Sequence, residues 1–216
     1  ADQAWMMRAT LHAWAATGES KYLAACRTLA DYVLDHLADA DGGLLSAPAV
    51  AASAGPAGVA PAKAWDDSPS RSPASVAAQA LTDLGHVTGQ TRYSQAAAAA
   101  LSSFAGASGR EWALFLGGYA QAVDQHLAGP RTVVVVGAES DRAVAELALA
   151  ARAAYVPGGI VVSLDPSRPA HAEALGALSL SDAQPGRAYV CRAAQCLPPA
   201  ETPDQLRERL ADLRRP

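Results

Sequence analysis

The sequence has few basic residues and no long apolar run, and these absences exclude several classes of protein. Its 17 Lys and Arg residues are outnumbered by 21 Asp and Glu residues, so it lacks the basic surplus of a nucleic-acid binder. No apolar run approaches the roughly 20 residues that cross a bilayer. No charged segment followed by an apolar core marks a signal peptide. We therefore expect a cytoplasmic protein without nucleic-acid or membrane partners.

Cysteine is also scarce, with three residues, which are too few for a disulfide scaffold. We interpret Cys26 as a small core residue. We interpret Cys191 and Cys196 as free thiols, with a reversible disulfide of redox function or half of a metal site as the alternatives. No HxxxH or HExxH pair occurs, so we expect no metal site and no cofactor.

What the sequence does contain is a repeated hexapeptide, TGESKY at Thr17 and TGQTRY at Thr88. Apolar residues with helical spacing flank both copies. After the first copy they are Tyr22, Cys26, Leu29, Val33 and Leu37. Each copy is predicted to be the joint of a helical hairpin, in which the glycine ends one helix and the tyrosine packs the next helix against it. Repeated hairpins are typical of stacked arrays, because one hairpin cannot bury its own apolar face.

A long connection rich in Ala, Gly, Pro and Ser separates the two hairpins. We predict a loose stretch around 51–58 and an ordered end at 63–75. Ser72 is predicted to cap the next helix, with Pro73 at its first position. A fifth helix is predicted to begin near Arg110.

The character of the sequence changes at Pro130. RTVVVVG and GIVVSL are typical of buried strands, and AYVC of a short third strand. Strand, helix and strand joined by short connections predict a parallel βαβ unit. We therefore predict a mainly α protein with about five helices in 1–129 and a small three-stranded parallel α/β domain in 130–216. The stretch VGAESDR lacks the GxGxxG pattern of a dinucleotide site.

Three stretches resemble the thioredoxin-domain-containing proteins related to spermatogenesis-associated protein 20. They are ADQAWMMRATLHAWAATGESKYLAACRTLADYVLDHLADADGGLL, KAWDDSPSRSPASVAAQAL and AYVCRAAQCLPPAETPDQLRERL. Members of that family join a thioredoxin-like domain to an (α/α)6 toroid of the six-hairpin glycosidase type. The resemblance covers about the last third of a full-length member. It implies a fragment that holds part of the toroid, with the remaining hairpins and the thioredoxin-like domain of the parent protein as its partners.

Toroids of this type resemble sugar hydrolases and sugar 2-epimerases, so the resemblance implies a carbohydrate ligand. Asp2, at the start of an inner helix, and Asp67, in the middle loop, would be the catalytic carboxylates, since such a pair can act as general acid and base. The local alternatives are that Asp2 favours a helix N-terminus and that Asp67 stabilises a turn. Any activity would belong to the parent protein, and the fragment alone is expected to be inactive.

The middle loop also supplies the predicted substrate-binding residues. Lys63, Ser72 and Ser75 match the Lys and Ser positions of the family loop, and Trp65 lies beside them as a ring that could stack on a sugar. Other positions depart from the family pattern, with Ser68 in place of its Gly and Ala74 in place of its Asn. These departures favour the alternative function, a non-catalytic protein-interaction module built on helical hairpins.

Overall fold

The computed structural model describes residues 2–48, 61–63, 65–105 and 114–213. Within these residues the chain is mainly helical, with eight α-helices and one four-stranded mixed sheet. The chain divides into two compact units. The helical unit comprises Ala1–Leu11, Leu23–Gly85 and Gln90–Leu127, and the sheet unit comprises His12–Tyr22, His86–Gly89 and Ala128–Pro216. The predicted domain boundary at residue 130 stays a prediction.

Five described helices precede the first strand, as predicted. They are α1 (Asp2–Thr17), α2 (Ser20–His36), α3 (Pro73–Thr88), α4 (Thr91–Ala105) and α5 (Gly117–Ala128). The fifth begins later than expected, and the predicted loose stretch lies outside the described residues. Gly18 and Gly89 follow α1 and α3 with φ of 68° and 67°, a conformation that favours glycine. The repeated Thr-Gly is therefore the joint of a helical hairpin, as predicted.

Alternate helices of the helical unit run in the same direction. Asp67 joins the N-terminus of α3 to that of α5, and further along the same two helices Asp83 accepts a hydrogen bond from Gln125. On α1, Ala4 shares a small cavity with the first turn of α3, and Arg8 reaches Asp83. Helices α1, α3 and α5 are therefore parallel neighbours. Such an arrangement is typical of stacked hairpins, and closure into a toroid stays a prediction.

Helix α3 is the centre of the helical unit, because every residue from 74 to 85 is buried. A helix that is surrounded on all sides needs partners for each of its polar side chains. Four such side chains occur in this stretch, and they are Ser75, Gln79, Thr82 and Asp83. All four have hydrogen-bond partners within the helical unit.

The sheet unit begins with the predicted βαβ element. Strand β1 (Arg131–Val136) pairs in parallel with β2 (Gly159–Leu164), and α6 (Arg142–Ala153) connects them. After α7 (Pro169–Ala177) follow β3 (Arg187–Arg192), β4 (Gln195–Cys196) and α8 (Pro203–Leu213). The strand order is β2-β1-β3-β4.

The prediction of three parallel strands is wrong in two respects. Strand β3 is antiparallel to β1, and a fourth strand, β4, is antiparallel to β3. The direction of β4 follows from the connection after β3. Only Ala193 and Ala194 separate the two strands, and so short a link can join antiparallel strands only.

Each face of the sheet is covered within the sheet unit. On one face Val133 and Val135 pack into a core with residues of α6 and α8. The opposite face carries Thr132, whose hydroxyl lies 2.9 Å from Nε2 of His86. The glycines of both repeated joints lie against α7. Nε2 of its His171 is 2.8 Å from the carbonyl oxygen of Gly18, and a Cβ added at Gly89 would lie 3.7 Å from that of Ala177.

Candidate functional site

Asp67, one of the two predicted catalytic carboxylates, connects the N-termini of two helices. Its Oδ1 accepts a hydrogen bond from the backbone N–H of Ser72 at 2.8 Å, and its Oδ2 accepts one from that of Gly118 at 2.5 Å. Its own N–H donates to the carbonyl of Phe115 at 2.7 Å. The first N–H groups of a helix lack partners inside the helix, and a negative charge is favourable there. Asp67 thus serves α3 and α5 together.

The approach of Asp67 to α5 depends on a glycine that sequence reasoning did not single out. A Cβ added at Gly118 would lie only 2.6 Å from Oδ1 of Asp67. Any larger residue would therefore displace the carboxylate from the end of the helix. The sequence signal was available in the Gly117-Gly118 pair at the start of α5.

The two predicted serine ligands form the cap of α3. Ser72 Oγ accepts a hydrogen bond from the backbone N–H of Ser75 at 3.1 Å, which confirms the predicted N-cap. The two hydroxyl groups lie 2.5 Å apart, and both residues are fully buried. Neither hydroxyl is therefore open to a ligand in this conformation.

Lys63 binds to the turn that follows α2. Its Nζ forms an ion pair with Asp39 and lies 3.7 Å from a carboxylate oxygen of Asp41. Asp39 also accepts hydrogen bonds from the backbone N–H groups of Asp41 and Gly43. The hydrogen bond between Lys63 and Asp39 raises the pKa of the lysine and lowers that of the aspartate. The lysine therefore already has an anionic partner within the chain.

Trp65 belongs to an aromatic cluster in the core, with 1% of its surface exposed. Its ring lies 5.5 Å from that of Phe104 and 5.2 Å from that of Tyr119. A ring that is buried in this way offers no open face on which a sugar could stack. Its indole Nε1 is buried and has no hydrogen-bond partner among the described residues.

Asp2 is exposed in the first turn of α1. Because α1 and α3 are parallel neighbours, Asp2 and Asp67 lie at the same end of the helical unit. The hydrogen bonds of Asp67 are directed to α3 and α5 and not to Asp2. A cavity near the start of α1, lined by Gln3 and Ser46 among others, has a volume of about 40 Å³. This volume holds a few water molecules and is far below the roughly 300 Å³ at which ligand pockets begin.

Asp83, which sequence reasoning missed, is the centre of a buried polar cluster. Its Oδ2 lies 2.8 Å from Nη1 of Arg8, and its Oδ1 accepts a hydrogen bond from Nε2 of Gln125 at 2.5 Å. Burial raises the pKa of Asp83 to about 7, although Arg8 and Gln125 act in the opposite direction. The available signal was that Asp83, between Leu81 and Leu84, is the one Asp, Glu, Lys or Arg residue in the sequence of α3.

The interpretation of Cys191 and Cys196 as free thiols is wrong, because they form a disulfide. They lie directly opposite each other on β3 and β4, which brings their Cα atoms to 4.0 Å. The sequence did not reveal this pairing because β4 itself was not predicted. Cys26 is a buried core residue, as predicted, and burial raises its pKa to about 11.

Comparison with protein-family models and with curated proteins found no match for this chain. The resemblance to the thioredoxin-domain-containing family, and the carbohydrate chemistry that it implies, therefore stay predictions. Among the described residues no helix has both the length and the apolar character needed to span a membrane. In the same part of the chain, no group of three or more His, Cys, Asp or Glu residues could hold a metal ion.

Proposed function

We propose that this chain is a non-catalytic protein-interaction module built on helical hairpins. The observation that carries the proposal is the engagement of both Asp67 carboxylate oxygens by backbone N–H groups. A general acid or base must exchange a proton with its substrate, which requires a carboxyl group that can reach it. In addition, Lys63 is paired with Asp39, and the two serines bind each other. The loop is thus used to join helices.

The surface that the proposal assigns to a partner lies on α1. Trp5 and Met6 are 41% and 52% exposed, and Ala9 is exposed one turn further along. Met7 and Leu11 are buried on the other side of α1, so this helix carries large apolar side chains on two sides, and only one of these sides is covered within the described residues. We infer that a further helical hairpin, of the kind expected in the parent protein, covers Trp5 and Met6.

The reading frame upstream of the codon for Ala1 provides the test. Hairpins encoded there in frame would be produced as a separate chain, and their binding to this chain would be measured by calorimetry. We expect binding that the double substitution Trp5→Lys and Met6→Lys weakens about tenfold or more, since both residues would lie in the interface. Leu149→Lys, which changes an apolar residue of α6 that is 71% exposed, is the control. If the isolated chain is a compact monomer that binds no hydrophobic dye, the proposal fails.

A second candidate is carbohydrate binding or processing by the parent protein, of a glycosidase or sugar-epimerase type. It is favoured by the parallel arrangement of α1, α3 and α5, which brings three helix N-termini and the exposed Asp2 to one end of the helical unit. Sugars and sugar phosphates would be titrated into the parent protein and its Asp2→Asn variant. Saturable binding that the variant loses would support this candidate, and absence of binding by the parent protein would remove it.

A further inference from the structure

The disulfide lies at an edge of the sheet and closes a very short hairpin. Strand β4 consists of two residues and pairs only with β3, as Cys196 opposite Cys191 and Gln195 opposite Arg192. Residues 193–196 are all exposed. Reagents from solution can therefore approach the hairpin along its whole outer side.

The two cysteines differ strongly in accessibility. Cys191 is 4% exposed, whereas Cys196 is exposed. Thiol–disulfide exchange begins when a thiolate attacks one of the two sulfur atoms, and access determines which sulfur is attacked. Cys191 also lies opposite Thr132 in the register of β1 and β3, so the two side chains share one face of the sheet. The buried cysteine therefore has a hydroxyl-bearing residue as its cross-strand neighbour.

We propose that the Cys191–Cys196 pair is a site of thiol–disulfide exchange whose reaction partner is an external dithiol. One thiolate of the dithiol attacks the sulfur of Cys196, a mixed disulfide forms there, and Cys191 leaves as a thiolate that takes a proton from solvent. The second thiol of the partner then attacks the partner's sulfur that is bonded to Cys196. This step closes the partner's disulfide and releases Cys196 as a thiolate, which is also protonated. The protein gains two electrons and two protons, and the dithiol becomes a disulfide.

Backbone hydrogen bonds keep the segment after β4 on β3 when the disulfide is reduced. Beyond β4 the chain remains bound to β3, through the N–H of Leu197 to the carbonyl of Val190 at 2.9 Å and through two bonds of 2.8 Å between Ala188 and Ala200. These backbone contacts do not depend on the disulfide, so both cysteines stay on neighbouring segments after reduction. The reduced pair is therefore still placed to form the disulfide again.

The test uses the full wild-type chain. The disulfide is reduced with dithiothreitol under native conditions, the reductant is removed, and limiting iodoacetamide is added for short times before peptide mass mapping. We expect Cys196 to be alkylated faster than Cys191 by on the order of tenfold or more, because only an accessible thiolate reacts. Buried Cys26 should stay unlabelled and so report that the chain is still folded.

Two single variants test which of the two cysteines reacts with the partner. With glutathione disulfide, Cys191→Ser should form a mixed disulfide at Cys196, whereas Cys196→Ser should react at Cys191 at least about tenfold more slowly. If either variant fails to fold, as judged by labelling of Cys26, the wild-type pulse alone decides. Equal labelling of the two cysteines, or faster labelling of Cys191, would overturn the proposal. So would a native disulfide that resists a concentration of dithiothreitol that reduces the urea-unfolded chain.

Discussion

Replacing Asp83 with Asn tests whether the buried polar cluster controls the pH dependence of stability. Burial raises the pKa of Asp83 to about 7 in the folded chain, from an ordinary value of 3.8 that applies in the unfolded chain. Between these two values the folded state keeps the proton that the unfolded state has released. The free energy of unfolding therefore falls as the pH rises through this window, and it levels off once both states are ionised above about pH 7.

The size of the effect follows from the difference between the two pKa values. From 3.8 to about 7 is a shift of roughly 3 pKa units, and each unit corresponds to about 1.4 kcal/mol, so Asp83 contributes about 4 kcal/mol across the window. An Asn side chain has nearly the same shape and does not titrate. It can still accept one hydrogen bond, from either Arg8 or Gln125. The stability of the wild type relative to Asp83→Asn should therefore fall by about 4 kcal/mol between about pH 4 and about pH 8.

The assay is urea unfolding followed by circular dichroism, at constant ionic strength, over this range of pH. Asp35→Asn on α2 is the matched control, because it removes an exposed carboxylate from the same unit. Its profile should run parallel to that of the wild type. A difference between wild type and Asp83→Asn that is the same at low and high pH would refute the reasoning. Asp83 and Arg8 would then be an ion pair in the folded chain throughout the range.

Three further predictions concern stability, and urea unfolding measures each of them. Gly18→Ala should lower the free energy of unfolding more than Gly186→Ala does. Both glycines have positive φ, but of the two only Gly18 has a neighbour in the way, since its added Cβ would lie 2.8 Å from Nε2 of His171. Equal losses would contradict this contact. Asp67→Ala should cost about 1–3 kcal/mol, because two helix N-termini lose their acceptor, and no loss would contradict the cap. Trp65→Ala should cost about 3–5 kcal/mol as a large core truncation, and a cost below 1 kcal/mol would mean that the ring is not packed.

The features of the fold that were predictable are those that the chain encodes locally. A glycine after a helix and an apolar face with helical spacing lie within about ten residues of each other, so TGESKY and TGQTRY could be interpreted as hairpin joints. The βαβ element is similarly local, because two β-branched runs flank one helical stretch. Strand direction is different, since it depends on the route of the chain between strands. The Ala193-Ala194 turn also lacks the Gly or Asn that normally indicates a tight hairpin, and Ala193 adopts a φ of 49°.

The candidate site shows the same limit. Sequence reasoning marked Asp67 as a carboxylate with a special role, but a catalytic acid and a helix cap use the same residue type. What distinguishes them is Gly118, which lies 51 positions further along the chain. Asp83 was missed because its sequence context indicates an ordinary surface residue. A single Asp in an amphipathic helix would normally be exposed, and only the burial of α3 on all sides makes it a buried acid.

The two copies of the repeated hexapeptide share one backbone conformation but have different surroundings in the structure. Both copies place a glycine with positive φ at the end of a helix, which explains why Thr-Gly occurs twice. The surroundings of the two glycines are not equivalent. A Cβ at Gly18 would overlap with His171, whereas at Gly89 it would meet Ala177 at an ordinary 3.7 Å. Gly89 is therefore required for its backbone conformation alone, and Gly18 is required both for its conformation and for its contact with α7. A sequence repeat of this kind identifies a shared backbone conformation, and the contacts of each copy must be established separately.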